Sequence, residues 1–146
     1  MEFPKNLALV LAITSVICLA IPNPSLADDS PSDYLNPHNM ARKDAKVDPL
    51  YWNKELAHYA EQSAGNCGRG SYNSHYGVNV YKDRHATAYD AVKEWTKCKH
   101  GDCSDDYKQV VWPHTKWLGC AHHPCHDHNG EYYFIVCYYD PPASKH

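Results

Sequence analysis

The sequence predicts an α+β domain in which helices pack on a mainly antiparallel sheet. Two segments with helical periodicity, Leu56–Ala64 and Ala88–Trp95, lie in the middle of the chain. The last third carries β-rich runs, ending in Tyr132–Cys137, and the dipeptide Asn129-Gly130, which is the strongest short signal for a hairpin. Strands joined by such a tight turn are antiparallel, and the helices must then cover the sheet.

The first 27 residues have the pattern of a secretory signal peptide. Lys5 supplies the positive charge, residues 6–21 are mostly apolar, and Ser25-Leu26-Ala27 is a small-x-small cleavage site. The apolar part is shorter than the roughly 20 residues that a membrane span needs, and no second candidate follows. We therefore expect a secreted, extracellular protein with no membrane span, whose single domain is residues 28–146.

Capping residues predict where the first helix begins. Residues 28–34 are polar and rich in Ser, Pro and Asp, and we expect a loose lead-in there. Asn36 and Pro37 then predict the start of a helix that runs to about Ala45, because Asn caps helices and Pro fits their first position.

Two more helices carry their own start signals. Asn53 is a favourable cap for the second, and Thr87 followed by Asp90 resembles a capping box for the third. The predicted buried faces are Leu56, Ala57, Ala60 and Ala64 in the second helix and Ala88, Ala91, Val92 and Trp95 in the third.

The sheet is predicted from β-branched and aromatic runs. Gln109–Trp112 is such a run, and Pro113 would end it, because proline has no N–H for a strand ladder. A second strand begins at Leu118–Cys120 and leads to the hairpin. The side chains that we expect to be buried in the sheet are Val110, Val111, Phe134 and Ile135, with Trp95 packed over them.

Cysteine number points to disulfides. Of the seven cysteines, Cys18 is lost with the signal peptide. An even number in a short secreted chain predicts three disulfides, although the number alone leaves the pairing open. The six that remain are Cys67, Cys98, Cys103, Cys120, Cys125 and Cys137.

Charge and motifs exclude several classes of function. The net charge is only −3 and no basic run occurs, so the sequence predicts no nucleic-acid partner. It contains no G-x-S-x-G, H-E-x-x-H or phosphate-binding loop, and the predicted disulfides leave no free thiol as a nucleophile. We therefore expect no enzyme and no cofactor.

Eight short pieces, in order, resemble the CAP (SCP) superfamily, most closely the plant pathogenesis-related class 1 proteins. The resemblance covers the chain from Asp33 to Pro142. Its pieces are Asp33-Tyr34-Leu35 with His38-Asn39-x-x-Arg42, Pro49-Leu50-x-Trp52, Gly65-Asn66-Cys67, Gly77-x-Asn79, Ala91-Val92-x-x-Trp95, Tyr107-x-Gln109-Val110-Val111-Trp112, Leu118-Gly119-Cys120 and Cys137-x-Tyr139-Asp140-Pro141.

This resemblance implies a three-layer α-β-α sandwich and a defence-associated extracellular protein that we expect to be a monomer. Several members of the family bind sterols or other lipids, so a sterol or lipid is the expected partner. The cysteine order of the family implies the pairs Cys67–Cys125, Cys98–Cys103 and Cys120–Cys137.

The resemblance also implies a cleft in which two histidines and two acids bind a divalent metal in many members. The matching positions here are Ser71, Val78, Cys98 and Asp106, so we expect this metal site to be lost. His75 lies four residues past the first position, and its entry into the cleft is the less favoured alternative.

A second group of histidines precedes the hairpin turn. The imidazoles of His122, His123, His126 and His128 could bind zinc, copper or nickel, although an exposed histidine-rich tip is the simpler interpretation. Three hypotheses therefore stay open: a lipid-binding defence protein, a divergent interaction module without enzymatic activity, and a protein that binds metal through this hairpin.

Overall fold

The computed structural model describes residues 29–99 and 101–144. The predicted signal peptide lies outside these residues and stays a prediction. The described elements are α1 (Pro31–Asp44), β1 (Tyr51–Trp52), α2 (Lys54–Gly65), β2 (Gly77–Asp83), α3 (Ala88–Trp95), β3 (Cys98–Lys99), β4 (Asp102–Cys103), α4 (Asp105–Val110), β5 (Trp117–Asp127) and β6 (Gly130–Asp140).

A four-stranded sheet in the order β1-β5-β6-β2 forms the middle layer. β5 and β6 pair antiparallel as a hairpin, β2 pairs antiparallel with β6, and the two residues of β1 pair parallel with β5. The predicted α+β class and the mainly antiparallel sheet are therefore confirmed. β1 was not predicted, and a two-residue strand carries too little pattern to be found from sequence.

Helices cover both faces of this sheet, which confirms the three-layer sandwich. On one face, Leu56, Ala60 and Ala64 of α2 pack against alternate side chains of β6, including Phe134 and Val136. On the other face, α1, α3 and α4 enclose a second core. Its buried members include Tyr34, Val92, Trp95, Val110, Leu118, Ile135 and Tyr139.

The first helix begins six residues earlier than Asn36-Pro37 predicts. It starts at Pro31, and the Asp33 carboxylate accepts a 2.7 Å hydrogen bond from the backbone N–H of Ser30. Proline at the first position and this acid outweigh the later Asn-Pro signal, so Pro37 lies inside the helix and residues 31–34 are not a loose lead-in.

The run Gln109–Trp112 is not a strand, contrary to the prediction. Residues 105–110 form α4, whose cap is Ser104, since its hydroxyl accepts a hydrogen bond from the Tyr107 N–H. Acidic residues in the first turn favour a helix, and this local signal outweighs the β propensity of four residues. Val110 is fully buried as predicted, but in a helix, whereas Val111 is only half-buried.

The other predicted starts and the hairpin are confirmed. Asn53 accepts hydrogen bonds from two N–H groups of α2, and Thr87 caps α3 together with Asp90. Asp127 pairs with Gly130, so the hairpin loop is His128 and Asn129, and Gly130 follows with a φ of 112°. The predicted faces of α2 and α3 are buried except for Ala57, which is half-buried.

Three disulfides connect Cys67 with Cys125, Cys98 with Cys103, and Cys120 with Cys137, the pairing that the family resemblance implies. The first ties the end of α2 to β5. The second closes the small hairpin of β3 and β4, and the third joins directly opposite residues of β5 and β6.

A chain of hydrogen bonds crosses the core on the α1 side of the sheet. Nδ1–H of His38 donates to the Tyr34 carbonyl oxygen at 2.7 Å, which leaves Nε2 to accept from the Tyr139 hydroxyl at 2.8 Å. The same hydroxyl accepts a 3.3 Å hydrogen bond from Asn79 Nδ2. Burial, assisted by the positive charge of Arg42, lowers the pKa of His38 to about 4.

This neutral histidine predicts acid sensitivity. Its pKa is lower in the folded chain than the ordinary 6.5, so the unfolded chain binds the proton more tightly. The contribution of neutral His38 to the stability of the fold is complete at pH values above the ordinary pKa of 6.5. This contribution is lost as the pH falls toward and through the folded pKa of about 4. We expect urea unfolding to show about 3 kcal/mol less stability at about pH 4 than at about pH 7.

The variant His38→Gln, which cannot titrate there, should show a flatter pH profile than the wild type. If that variant does not fold, an NMR titration of His38 in the wild type gives its pKa directly. A value at or above the ordinary one would contradict the prediction.

In the described part of the chain, no helix has both the length and the apolar character to cross a membrane.

Candidate functional site

A cleft of about 920 Å³ opens where the start of β2 meets α4. The cleft is lined by the first residues of β2, by the loop before that strand, by α4 with Trp112, and by the tail that follows β6. The lining residues are Tyr72, Asn73, Ser74, Tyr76, Gly77, Val78, Asn79, Asp105, Asp106, Lys108, Gln109, Trp112, Pro142, Ala143 and Ser144.

Close packing of β2 against α4 shapes this cleft. A Cβ atom on Gly77 would lie 1.9 Å from Gln109 Oε1, so a larger residue would displace the Gln109 amide group. The Gln109 amide donates to Thr115 Oγ1 at 3.1 Å and accepts from the Ala143 N–H at 2.9 Å. Gln109 thus holds the C-terminal tail in place as a wall.

Only two of the four positions named from sequence meet in the cleft. Val78 and Asp106 line it, whereas Ser71 is exposed outside the lining. Cys98 is bonded to Cys103 and lies at a different surface groove. His75 is not among the lining residues either, although both of its neighbours in sequence are.

Asp106 is the distinctive charged group of this cleft. Its backbone carbonyl accepts a 3.0 Å hydrogen bond from Asn79 Nδ2, which fixes the residue against β2. The side chain is half-buried, and this burial raises the pKa of the carboxyl group, with a further increase from Asp105. Asp105 itself is exposed and pairs with Lys108 at 3.0 Å.

Tyr72 and Tyr76 also line the cleft, and sequence reasoning did not place them there. The ring of Tyr76 packs edge-on against Tyr138 with centroids 6.1 Å apart. The Tyr138 hydroxyl is 2.8 Å from Ser63 Oγ and accepts a 3.2 Å hydrogen bond from the Asn73 N–H, so it anchors the loop. The one signal in the sequence is the high number of tyrosines, 12 in all.

A second, smaller groove of about 380 Å³ runs between α1 and α3. Two of its apolar side chains are unusually open to solvent, Met40 at 66% and Tyr89 at 58% exposure. We call it the α1–α3 groove. It is lined by Pro37, Met40, Ala41, Asp44, Tyr89, Val92, Lys93, Thr96, Cys98 and Tyr107.

The histidines before the hairpin turn do not converge. His122 and His126 lie four residues apart on the long strand β5 and share a face, whereas His123 points to the opposite face and His128 lies in the loop. His122 is instead only 10% exposed and contacts Asp29, with Nδ1 and Oδ2 3.4 Å apart. Within residues 29–99 and 101–144, no three His, Cys, Asp or Glu residues are placed to hold a metal ion.

Comparison with known families matches residues 35–139 to the CAP family, described as the cysteine-rich secretory protein family. The match spans most of the described chain, and it includes the α1–α3 groove and the cleft except for its lining residues Pro142, Ala143 and Ser144.

Known proteins of similar sequence include plant pathogenesis-related proteins. Pathogenesis-related protein PRMS of Zea mays is 33% identical over 159 aligned positions, which cover 97% of this chain and 94% of that protein. The basic form of pathogenesis-related protein 1 of Nicotiana tabacum is 39% identical over 136 positions, covering 82% of this chain and 75% of that protein.

A solved structure of similar fold is venom allergen-like protein 4 of Schistosoma mansoni. It superimposes with a TM-score of 0.58 and 28% identity, and the match covers 80% of this chain and 92% of that one.

Proposed function

The chain belongs to the cysteine-rich secretory protein (CAP) family, and from this premise we propose that it is a secreted defence-associated protein whose α1–α3 groove binds a sterol or other lipid. Similarity to pathogenesis-related proteins supports the defence association. Three disulfides support an extracellular location, because such bonds persist in oxidising compartments.

The observation that carries the lipid proposal is the exposure of Met40 and Tyr89 on facing helices. Both side chains are large, apolar and exposed to water. An apolar ligand that covers them removes this surface from water, which makes the free energy of binding more favourable. Val92 forms the buried base between them, and the polar side chains Asp44, Lys93 and Thr96 offer partners for a hydroxyl or carboxylate of the ligand.

Binding of a labelled sterol and of a long-chain fatty acid to the purified protein tests this proposal. We expect Tyr89→Ser to weaken binding about tenfold, since covering one such side chain contributes about 1.5–3 kcal/mol. Tyr51→Ser is the matched control, because Tyr51 is similarly exposed at 53% but lies on β1, outside the groove. Equal effects of the two variants, or no binding at all, would contradict the proposal.

We also propose that the cleft has lost the metal site of the family and that the protein is not an enzyme. Support comes from the side chains in the cleft. Val78 offers no donor atom, and the disulfide removes the Cys98 thiolate. The carboxylates of Asp106 and of Asp105, which is paired with Lys108, fall short of the three protein ligands of a typical zinc site.

Calorimetric zinc titration separates the cleft from the hairpin. In the variant with His122, His123, His126 and His128 changed to alanine, we expect no micromolar binding. Binding that persists there and disappears with Asp106→Ala or His75→Ala would show that a metal site exists.

A further inference from the structure

We propose that the cleft binds an organic cation with an exposed ammonium group, with the Asp106 carboxylate as its counter-ion and the rings of Tyr72, Tyr76 and Trp112 as its apolar walls. This binding site is separate from the α1–α3 groove, so failure of one proposal leaves the other unaffected.

The first support is the balance of charge in the cleft. The charged residues that line it are Asp105, Asp106 and Lys108, and two of them neutralise each other through the 3.0 Å contact between Asp105 and Lys108. One negative charge remains, on Asp106. Among residues 29–99 and 101–144, its carboxylate oxygens have neither a hydrogen bond nor an ion pair.

The second support is the environment of this carboxylate. Asp106 is half-buried, and removing an anion from water costs free energy unless a cation or hydrogen-bond donors compensate. The raised pKa of its carboxyl group reflects this cost. A positively charged ligand in the cleft would supply the missing compensation.

Aromatic side chains that line the cleft give the third support. Tyr72 is 37% exposed, and Tyr76 and Trp112 are half-buried, so each ring keeps surface that a ligand can cover. The faces of such rings carry partial negative charge and attract ammonium groups, more strongly when water is excluded. Three aromatic rings and one unpaired carboxylate that line the same cleft therefore favour an organic cation over an anion or a neutral lipid.

The volume of the cleft and the side chains that line it argue against a metal ion as the bound species. A cleft of about 920 Å³ far exceeds the space of one ion, and Asp106 is the one unpaired carboxylate among its described lining residues. The side chains of Asn73 and Ser74 can bind hydroxyl or carbonyl groups elsewhere on the ligand.

Choline and its neutral isostere, in which a tert-butyl carbon replaces the ammonium nitrogen, provide the test. We expect an NMR titration of the purified protein with choline to give saturable shifts of the Val78 and Asn79 amides. Since the variant removes the negative charge that attracts the quaternary ammonium group, Asp106→Asn should weaken binding about tenfold or more. The isostere should give no comparable shifts.

Asp102→Asn is the matched control, because Asp102 is an exposed aspartate of β4 that lies outside the lining of the cleft. It should change the affinity less than about twofold. Absence of saturable shifts, shifts that map outside the cleft, or equal binding of the isostere would each overturn the proposal. Equal loss in the two aspartate variants would also overturn it. The isostere comparison needs no variant and therefore decides the question even if Asp106→Asn does not fold.

Discussion

Replacing Arg42 with alanine should destabilise the protein by more than about 3 kcal/mol, enough to prevent accumulation of folded protein. The guanidinium is fully buried and donates to four backbone carbonyl groups. Nε bonds Asp48 at 2.6 Å, Nη1 bonds Val110 and Trp112 at 2.9 Å each, and Nη2 bonds Thr115 at 3.0 Å. Alanine would remove one donor from each of these oxygens and open a cavity beside α4.

Arg42 matters because it organises an irregular segment. Residues 111–116 connect α4 to β5 without regular backbone pairing, and Arg42 donates to the carbonyl groups of Trp112 and Thr115 within this segment. Lysine cannot make the same hydrogen bonds. The planar guanidinium of arginine reaches the four carbonyl groups with three separate nitrogen atoms, whereas lysine has a single ammonium group. Arg42→Lys should therefore recover only part of the lost stability.

Secreted yield and thermal denaturation measure these effects. Lys43→Ala is the control, because Lys43 is the exposed neighbour on the same helix and should behave as the wild type. A midpoint for Arg42→Ala equal to that of Lys43→Ala would show that the four hydrogen bonds contribute nothing to stability.

Gly119→Ala should be comparably severe, with a loss of about 3 kcal/mol or more. A Cβ atom at this position would lie 2.1 Å from the Ala57 backbone nitrogen and 2.4 Å from the Leu56 carbonyl carbon. Backbone atoms cannot rotate away as a side chain can, so α2 would have to move off the sheet. That movement would loosen the contacts of Leu56, Ala60 and Ala64 with β5 and β6.

Gly65→Ala is the control for Gly119→Ala, because it adds the same methyl group at a position where that group meets no other segment of the chain. Gly65 is the last residue of α2, and a methyl group added there would meet no other segment of the chain within 4 Å. Alanine there should leave stability unchanged or raise it by about 0.4–1 kcal/mol. Urea denaturation compares the two variants, and similar stabilities would refute the proposed close approach of α2 and β5.

Local signals in the sequence determined α2, α3 and the final hairpin. Asn53 and Thr87 cap helices through bonds to residues two or three positions away, and Asn129-Gly130 closes β5 on β6 within a few residues. Such interactions depend on the neighbouring chain alone, so they can be recognised without the fold. The disulfide pairing came from the family resemblance, because cysteine number by itself left it open.

Two predictions were wrong, the start of α1 and the strand at Gln109–Trp112. In both cases the sequence also contained the local signal that the structure follows. Pro31 with Asp33 starts α1 before the Asn-Pro pair, and Ser104 with two following acids starts α4 where β-branched residues suggested a strand. In each case two signals competed, and the end of α4 was further fixed by the hydrogen bonds of Arg42 to Val110 and Trp112.

The tertiary structure alone decided which candidate residues meet. Val78 and Asp106 share a cleft because Asn79 bonds Asp106 across 27 residues of sequence and Gly77 lets β2 approach Gln109. Ser71 and Cys98, which the family positions grouped with them, lie elsewhere, and four neighbouring histidines separate onto two faces and a loop. These outcomes depend on the packing of distant segments and on strand orientation, which composition and spacing do not encode.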